Sequence, residues 1–176
     1  MSIVLKPTLT TAGLQAVFNA DSNGLDARIT AVGLGDVGYT PSQDRIGLGA
    51  EKSRIAIASG KMASPTQAHM TILEDSDKTF WVKEVGFYLQ DGTLFAVYSH
   101  PTKVLAYKSP DVDLILAFDL AISGVPSGSI TIVDQGLDLN ILFAPELAKM
   151  GTAQINSNRR FLTLKFAMME NHNNGI

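Results

Sequence analysis

The segment that decides the fold is Trp81-Val82-Lys83-Glu84-Val85-Gly86-Phe87-Tyr88-Leu89-Gln90-Asp91-Gly92-Thr93-Leu94-Phe95-Ala96-Val97. Asp91-Gly92 is a two-residue turn signal, because a type I′ turn needs a positive φ at both central positions and Asp and Gly tolerate it. A loop of these two residues fixes the register, and the expected pairs are Gln90–Thr93, Leu89–Leu94, Phe87–Ala96 and Val85–Tyr98. The segment therefore predicts a β-hairpin.

The predicted hairpin is apolar on both faces, which a sheet with one face in water would not be. Side chains alternate along a strand, so one face is expected to carry Trp81, Val85, Phe87, Leu89, Leu94, Ala96 and Tyr98. The other face is expected to carry Phe80, Val82, Tyr88, Phe95 and Val97. Both faces must therefore be covered. Gly86, opposite Val97, either softens the strand or lets another chain approach closely.

The rest of the chain predicts a β-rich α+β domain: an antiparallel sheet or sandwich with an N-terminal helix and a C-terminal extension. Thr10 or Thr11 can cap the helix, whose apolar positions are Leu14, Val17 and Phe18. Apolar residues alternate cleanly over 112–122, and further strands are predicted at 28–34, 53–59, 70–73, 129–133 and 137–142. Residues 35–52 form a loop long enough to be functional or mobile. Valine is therefore expected to be tolerated better at Gly38, in this loop, than at Gly92.

The chain is expected to divide into an attachment domain, residues 1–144, and an extension, residues 145–176. Pro145 and Gly151 suit the start and the end of a helix. Residues 160–169 fit either a helix or a strand, and the strand would place on one face Leu162, Leu164, Phe166 and Met168. Arg159 and Arg160 lie beside this apolar stripe, and such a combination is a common interface composition. The bland alternative is that this stripe completes the sheet of the domain.

Composition favours a protein whose surface is partly covered by other proteins. Charged residues make up 18% of the 176 residues, against about a quarter in average proteins. A chain with so little charge often hides surface in an oligomer, although a thinly charged monomer is the alternative. The net charge is −3 and the basic residues are scattered, which argues against nucleic-acid binding.

Cysteine usage and hydropathy set the compartment. The sequence contains no cysteine, so it has neither a disulfide framework nor a thiolate metal site. The N-terminus lacks the apolar run of a signal peptide, and no stretch approaches the 18 apolar residues of a membrane span. We expect a chain that is made in a cytoplasm, has no export route of its own and does not enter a membrane.

Several motifs invite a catalytic or binding interpretation. Gly33-Leu34-Gly35-Asp36-Val37-Gly38 matches Gly-x-Gly-x-x-Gly, but a dinucleotide site needs a helix to begin there and no helical period follows. The glycines then supply loop conformations, and Asp36 is a turn former or a cation ligand. The histidines are not at metal-ligand spacing, and no Gly-x-Ser-x-Gly appears. Residues 74–77 are acidic but lack the calcium-loop pattern. We predict no enzyme activity and no catalytic, cofactor or metal site.

The hairpin also carries a family pattern, Trp-x-x-Glu-x-Gly-x-Tyr followed by Asp-Gly-x-Leu-x-Ala-Val. It resembles the N-terminal domain of bacteriophage tail-fibre (tail-collar) proteins. Residues 29–36, Ile-Thr-Ala-Val-Gly-Leu-Gly-Asp, resemble an early strand of that family and its Gly-x-Gly-Asp-type loop. Residues 9–14, Leu-Thr-Thr-Ala-Gly-Leu, resemble its N-terminal helix. The resemblance covers roughly residues 2–133.

The resemblance implies a structural virion protein, a homotrimer that attaches a fibre to the tail baseplate and passes through the host cytoplasm during assembly. Members of the family usually continue into a long shaft and a receptor-binding tip, for which 176 residues leave no room. The expectation is an adaptor that docks on baseplate proteins and holds a separate tail-fibre protein through its C-terminal extension. The alternative is a carbohydrate-binding module that contacts the host surface.

An interface role is expected for residues of the hairpin and of the extension. Glu84 belongs to the family pattern and is expected to make a specific hydrogen bond or ion pair, unless it is an edge charge that discourages wrong strand pairing. The hairpin aromatics are core or interface, with a sugar-stacking platform as the alternative. The predicted partner or oligomer interface consists of Trp81, Glu84, Phe87, Tyr88, Arg159, Arg160, Phe161, Leu164 and Phe166.

Overall fold

The computed structural model describes residues 3–24, 27–122, 124–137 and 152–165. The chain divides into two compact units, Met1–Leu137 and Asp138–Ile176. This division lies ahead of the predicted boundary between residues 144 and 145, and the roles assigned to the two parts stay predictions.

Short strands dominate the described residues, and the predicted fold class, β-rich α+β, is confirmed. In chain order the elements are β1 (Ile3–Leu5), β2 (Thr8–Leu9), α1 (Thr11–Ser22), β3 (Ala27–Gly35), β4 (Glu51–Ala56), β5 (Ser59–Ser64), β6 (Gln67–Glu74), β7 (Phe80–Val82), β8 (Glu84–Leu89), β9 (Leu94–Ser99), β10 (Ala106–Lys108), β11 (Leu114–Ala121), β12 (Ile130–Ile132) and α2 (152–165). The strands predicted at 28–34, 70–73 and 129–133 are β3, β6 and β12. Of the strand predicted at 137–142, all but Leu137 lies outside the described residues.

Within the described residues, the strands form two sheets and a two-stranded ribbon of β7 and β10. The first sheet has the order β1-β11-β6-β5, and the second β12-β3-β8-β9-β2, with β4 also paired to β3. Pairing is antiparallel except between β1 and β11 and between β12 and β3. One apolar core draws on both sheets, and in it Phe87 meets Phe118 edge-on with ring centroids 5.7 Å apart.

The predicted hairpin is formed by β8 and β9, but its turn differs from the prediction. In the described residues only glycines have a positive φ; Gly92 has φ +86° and Asp91 does not. The Leu89 carbonyl oxygen accepts a hydrogen bond of 2.9 Å from the Gly92 amide, and the Leu89 amide donates one of 2.9 Å to the Thr93 carbonyl oxygen. This is a three-residue loop that ends in a left-handed glycine. The type I′ prediction is wrong, because a three-residue loop reverses the chain with only one left-handed residue, whereas a type I′ turn needs two.

The changed turn shifts the register near the loop. Val85 still pairs with Tyr98 and Phe87 with Ala96, as predicted, but Leu94 pairs with Tyr88 instead of Leu89. The irregularity exchanges the predicted faces of Leu94 and Phe95. Phe95 lies in the main core with Phe87, and Leu94 lies on the other face with Tyr88 and Val97.

Trp81 does not share the face of Val85 as predicted. The strand is interrupted at Lys83, between β7 and β8. Phe80 and Val82 are buried in the main core, whereas Trp81 is 52% exposed. The alternation that predicts the face of a residue holds only while the strand is continuous.

Helix α1 begins as predicted. Thr10 is the N-cap, and its side-chain oxygen accepts a hydrogen bond of 2.9 Å from the Gly13 amide. Val17 is fully buried, but Phe18 is exposed, so the predicted apolar face is narrower than expected. The helix ends at Asn23-Gly24, where Gly24 has φ +68°.

The predictions for residues 112–122 and for the C-terminal extension are confirmed only in part. Residues 114–121 form β11 as predicted, while Val112, at the predicted start, lies outside the strand and is exposed. In the extension, 152–165 is helical, so the strand alternative is wrong over 160–165. Successive residues turn by about 100° around a helix, so Leu162 and Leu164 do not share a face. Residues 145–151 and 166–176, with Phe166 and Met168, lie outside the described residues.

Candidate functional site

Glu84, the first residue of β8, is completely buried and organises a hydrogen-bonded node. Its Oε2 accepts hydrogen bonds of 2.7 Å from the Tyr39 hydroxyl and from the Gly49 amide. Its Oε1 accepts one of 2.7 Å from the Ala50 amide. A buried carboxylate is stable only when hydrogen-bonded or paired, and these donors satisfy it. The specific hydrogen bonding expected of Glu84 is present, whereas the edge-charge alternative does not fit a fully buried side chain.

Gly35 provides the space for this carboxylate. It lies opposite Glu84 in the β3–β8 pair. A Cβ at Gly35 would overlap the Glu84 carboxyl group and lie 2.6 Å from the Ala50 carbonyl oxygen. The Gly-x-Gly-x-x-Gly motif therefore begins inside a strand, and its second glycine accommodates a carboxylate. The prediction that these glycines supply loop conformations is wrong for the first two, since both lie within β3.

The loop between β3 and β4 covers the second apolar face of the hairpin. Leu48 of this loop lies over the cross-strand pair Gly33–Gly86, since a Cβ on either glycine would come within 3.0–3.1 Å of its methyl groups. Leu48 and Tyr39 pack against the cluster that contains Tyr88. The close approach expected at Gly86 is therefore made by this chain's own loop.

The same loop, residues 36–50, is fixed along its length. The Asp36 amide donates to the Ala50 carbonyl oxygen at 3.2 Å, which closes the base of the loop. Asp36 also forms an ion pair of 3.1 Å with Lys52, so its side chain has a partner in the chain. The Thr11 amide donates to the Gln43 carbonyl oxygen at 2.8 Å, which ties the loop to the start of α1. The loop is held in place by the domain and is not a free flap.

A Cβ at Gly38 would lie 2.6 Å from the His100 carbonyl oxygen. Valine at this position therefore has no room to relax. By contrast, a Cβ at Gly92 has nothing within 4 Å, and only its positive φ opposes substitution. The structure thus removes the reason for expecting Gly38 to tolerate valine better than Gly92.

A second node repeats the chemistry of the first. The Tyr88 hydroxyl donates to Glu51 Oε2 at 2.8 Å, and Arg54 donates to both carboxylate oxygens at 2.8 and 2.9 Å. The Arg54 guanidinium carbon lies 3.6 Å from the Tyr88 ring centroid. In the first node, Arg45 lies 3.8 Å from the centroid of Tyr39. Each tyrosine therefore donates to a glutamate and carries an arginine on its ring.

Burial and the neighbouring carboxylates shift the acidity of both nodes. Burial first, then the hydrogen bond to Glu51, raise the pKa of Tyr88 to about 12. Burial first, then the hydrogen bond to Glu84, also raise the pKa of Tyr39. Burial raises the pKa of Glu51, but the hydrogen bonds from Arg54 and Tyr88 outweigh it, so this pKa lies below its ordinary value. At neutral pH the folded state holds neutral tyrosines against these glutamates.

The stability contribution of Tyr88 is expected to vanish in alkali. The pKa of Tyr88 is higher in the folded protein than in the unfolded chain, where it is about 10. Its hydrogen bond therefore stabilises the folded state fully below pH 10, and this contribution is lost as the pH rises towards 12. Tyr88→Phe should cost about 1.5–3 kcal/mol at pH 8 through the lost hydrogen bond to a charged group. The difference from wild type should shrink above pH 10. Urea unfolding at several pH values measures it, with the exposed Tyr107→Phe as control. A pH-independent difference contradicts the assignment.

An aromatic pair marks the outer surface of the first unit. Trp81 and Tyr107 are cross-strand partners in the ribbon of β7 and β10. Their ring centroids are 4.5 Å apart with the planes tilted by 46°, and the side chains are 52% and 47% exposed. Exposed Trp and Tyr are enriched at protein interfaces. This pair, called here the aromatic pair, is a candidate contact surface.

The predicted interface residues are dispersed. Glu84, Phe87 and Tyr88 are buried inside the chain, and Trp81 is exposed on the ribbon. Arg159, Arg160, Phe161 and Leu164 are exposed on α2, while Phe166 lies outside the described residues. The interface role of this set stays a prediction. Sequence reasoning missed Tyr39, Arg45, Glu51, Arg54 and Tyr107, because their partners are distant in sequence and no periodicity links them.

Other candidate groups have ordinary surroundings. His69 Nδ1 lies 2.8 Å from Asp119 Oδ1 across β6 and β11, and the histidine is partly buried. His100 Nδ1 accepts a hydrogen bond of 3.2 Å from the Thr102 amide. His172 lies outside the described residues. Over the residues the structure covers, no cluster of three potential metal ligands occurs. Neither of the two helices described is long and apolar enough to cross a bilayer.

Comparison with protein-family models matches residues 1–130 to the phage tail-collar fibre protein N-terminal family. Because the match covers most of the chain, the protein belongs to this family. A search of curated proteins and a search of solved structures gave no significant match. The protein is therefore a structural component of a phage tail, and the family is one of virion proteins rather than enzymes.

Proposed function

We propose that the protein is a tail adaptor: the first unit docks on baseplate proteins as a homotrimer, and the second unit holds a separate tail-fibre protein. The family match over residues 1–130 supports the attachment role. The match ends before the second unit begins at Asp138, so that unit is free to serve a different partner from the one the family pattern serves.

The exposed surface of α2 carries the adaptor proposal. Four large apolar side chains of this helix are exposed, and Phe161 is 67% exposed. Helical spacing sets them in two stripes, Ile155 with Leu162 and Phe161 with Leu164. Arg159 and Arg160 lie among them. Apolar stripes with arginines suit a helix that docks in a groove of a partner protein.

Charges on the second stripe are expected to release the fibre protein. Phe161→Glu with Leu164→Glu should reduce co-purification with the tail-fibre protein at least tenfold, because carboxylates would be buried at the contact. The melting temperature of the first unit should not change. Asn156→Glu with Thr163→Glu, on the other side of the same helix, adds equal charge and should retain the partner. Equal loss with both pairs, or retention with both, contradicts the proposal.

The aromatic pair is the proposed contact with the baseplate. A half-exposed tryptophan in contact with a tyrosine on a hydrogen-bonded ribbon is already ordered, so little side-chain entropy is lost on docking. The ribbon is anchored from below, since Phe80 and Val82 on its inner face lie in the main core. The pair is therefore presented on a rigid support.

Trp81 is the only tryptophan of the chain, so its fluorescence reports directly on this surface. Addition of baseplate protein should shift the emission to shorter wavelength and reduce iodide quenching, because docking removes the indole from water. Trp81→Ala should weaken docking about tenfold or more, as truncation of an interface tryptophan often does. Val112→Ala, at another exposed apolar residue, is the control. Unchanged fluorescence on docking contradicts the assignment.

Glycan binding is a second candidate function, and the same aromatic pair is the observation that favours it. Aromatic faces suit sugar rings, and the pair is accessible. The fluorescence experiment distinguishes the two functions. A shift with soluble host glycans and none with baseplate protein favours the carbohydrate-binding module, and the reverse result favours the adaptor.

A further inference from the structure

The tip of the loop between β3 and β4 displays an unusual residue. Ile46 is 85% exposed, the largest exposure among the big apolar side chains in the described residues. Isolated apolar residues on a surface are common, so exposure alone decides nothing. What distinguishes Ile46 is the rigidity of its support.

Ile46 is held from both sides. Before it, the Arg45 guanidinium lies 3.8 Å from the Tyr39 ring centroid. After it, Leu48 packs over the hairpin, and the Gly49 amide donates to Glu84 at 2.7 Å. A loop held in this way presents the Ile46 side chain as a knob on a fixed backbone, so little backbone entropy is lost when a partner buries it.

A groove that matches such a knob lies elsewhere on the first unit. It has a volume of about 160 Å³, and it lies between α1 and the hairpin turn. Three alanines contribute to it, and the lining residues are Ala16, Ala20, Ala27, Arg28, Leu89, Gln90 and Asp91. A small, partly apolar hollow of this kind suits one aliphatic side chain. Ile46 does not fill the groove of its own chain, because it is exposed there.

Charges flank the knob and the groove in a complementary way. Asp44 and Arg45 precede Ile46 on the loop. Arg28 and Asp91 line the groove. Knob and groove thus each carry one acidic and one basic residue, and the pairs proposed for a docked copy are Asp44 with Arg28 and Arg45 with Asp91. Opposite charges around an apolar contact fix its orientation more than its strength.

We propose that Ile46 of one copy inserts into the alanine groove of the next copy. Knob and groove are different surfaces, so the contact is head-to-tail and closes into a ring when the rotation between copies permits. The proposal rests on the homotrimer of the proposed function and names the contact that builds it. It makes no use of α2 or of the aromatic pair.

Cysteine cross-linking tests the contact cleanly, because the natural chain has no cysteine. Ile46→Cys and Ala20→Cys chains, co-expressed with tags of different size, should form a disulfide-linked heterodimer under mild oxidation. Neither variant should cross-link with itself. The double variant should give a covalent ladder that ends at trimer. Ile46→Cys paired with Val112→Cys is the control and should stay uncross-linked.

A charge reversal provides an independent readout without cysteines. Asp44→Arg should weaken self-association about fivefold, the upper range for an exposed ion pair, and adding Arg28→Asp should restore it. Sedimentation of the full chain measures both. A trimer without the heterodimer cross-link overturns this contact and leaves the adaptor intact. A chain that stays at 18.8 kDa at all concentrations overturns the contact and the homotrimer together. A trimer that forms the heterodimer cross-link but does not retain the tail-fibre protein supports this contact and contradicts only the adaptor role.

Discussion

Glu84→Ala is expected to lower the free energy of unfolding by about 3–5 kcal/mol, because the buried Tyr39 hydroxyl and the Gly49 and Ala50 amides lose their acceptor. For a chain of this size, that loss corresponds to a fall in Tm of about 6–20 °C. The loop that carries Ile46 should also become accessible to protease, since its main anchor is gone. Thermal unfolding and limited proteolysis measure the two effects.

Two variants make the Glu84 result specific. Glu84→Gln keeps the shape but turns an NH₂ group towards an N–H or O–H donor, so it should lose at least half as much stability as Glu84→Ala. Asp77→Asn removes a carboxylate at an exposed position and should change the Tm by no more than about 2 °C. A wild-type Tm for Glu84→Gln would mean that the carboxylate does not anchor the loop.

Gly13→Ala is expected to destabilise the protein by about 2 kcal/mol, although alanine is the better helix former. The propensity gain is about 1 kcal/mol. Against it, a Cβ at Gly13 would lie 2.5 Å from the Phe95 Cα and 2.7 Å from the Phe95 carbonyl oxygen. Because these are backbone atoms, α1 must move off the sheet, and overpacking of this kind costs about 3 kcal/mol, the upper end of the usual range. The clash therefore outweighs the propensity.

Gly47→Ala is the matched control for Gly13→Ala. A Cβ at Gly47 has nothing within 4 Å, so the substitution should leave the Tm unchanged or raise it slightly. Urea unfolding of both variants gives the free energies. A Gly13→Ala protein as stable as wild type would show that α1 does not pack on β9 at this distance.

The hairpin shows how far sequence patterns predict this fold. Alternation and the Asp-Gly signal located β8 and β9 and the pairing of Val85 with Tyr98. They did not reveal the irregularity that exchanges the faces of Leu94 and Phe95, because one extra residue in a strand leaves no trace in the hydrophobic pattern. Nor did they reveal the break at Lys83 that turns Trp81 outwards. Local propensities predict individual strands and helices. These two departures arise from the packing of the strands against one another, which the local sequence does not encode.

The site was predicted only in part, for a similar reason. Glu84 stood out as a charge in an apolar strand, and the need to cover the second face of the hairpin followed from its composition. The covering segment did not follow, since a glycine-rich loop without periodicity carries no signal of what it packs on. Tyr39, Gly49 and Ala50 are joined to Glu84 only by the folded chain.

The two parallel pairings have a kinetic consequence. Ile3 pairs with Phe118, and Ala27 pairs with Ile130, so both sheets are completed by residues from the far end of the first unit. Such long sequence separations slow folding, because loop-closure entropy is lost before the contacts form. At about 5–20 residues per second, a ribosome needs about 5–20 seconds to travel from Ala27 to Ile130. Throughout that interval Ala27–Ile29, at the start of β3, lacks its β12 partner, so this part of the strand keeps one edge unpaired in the nascent chain.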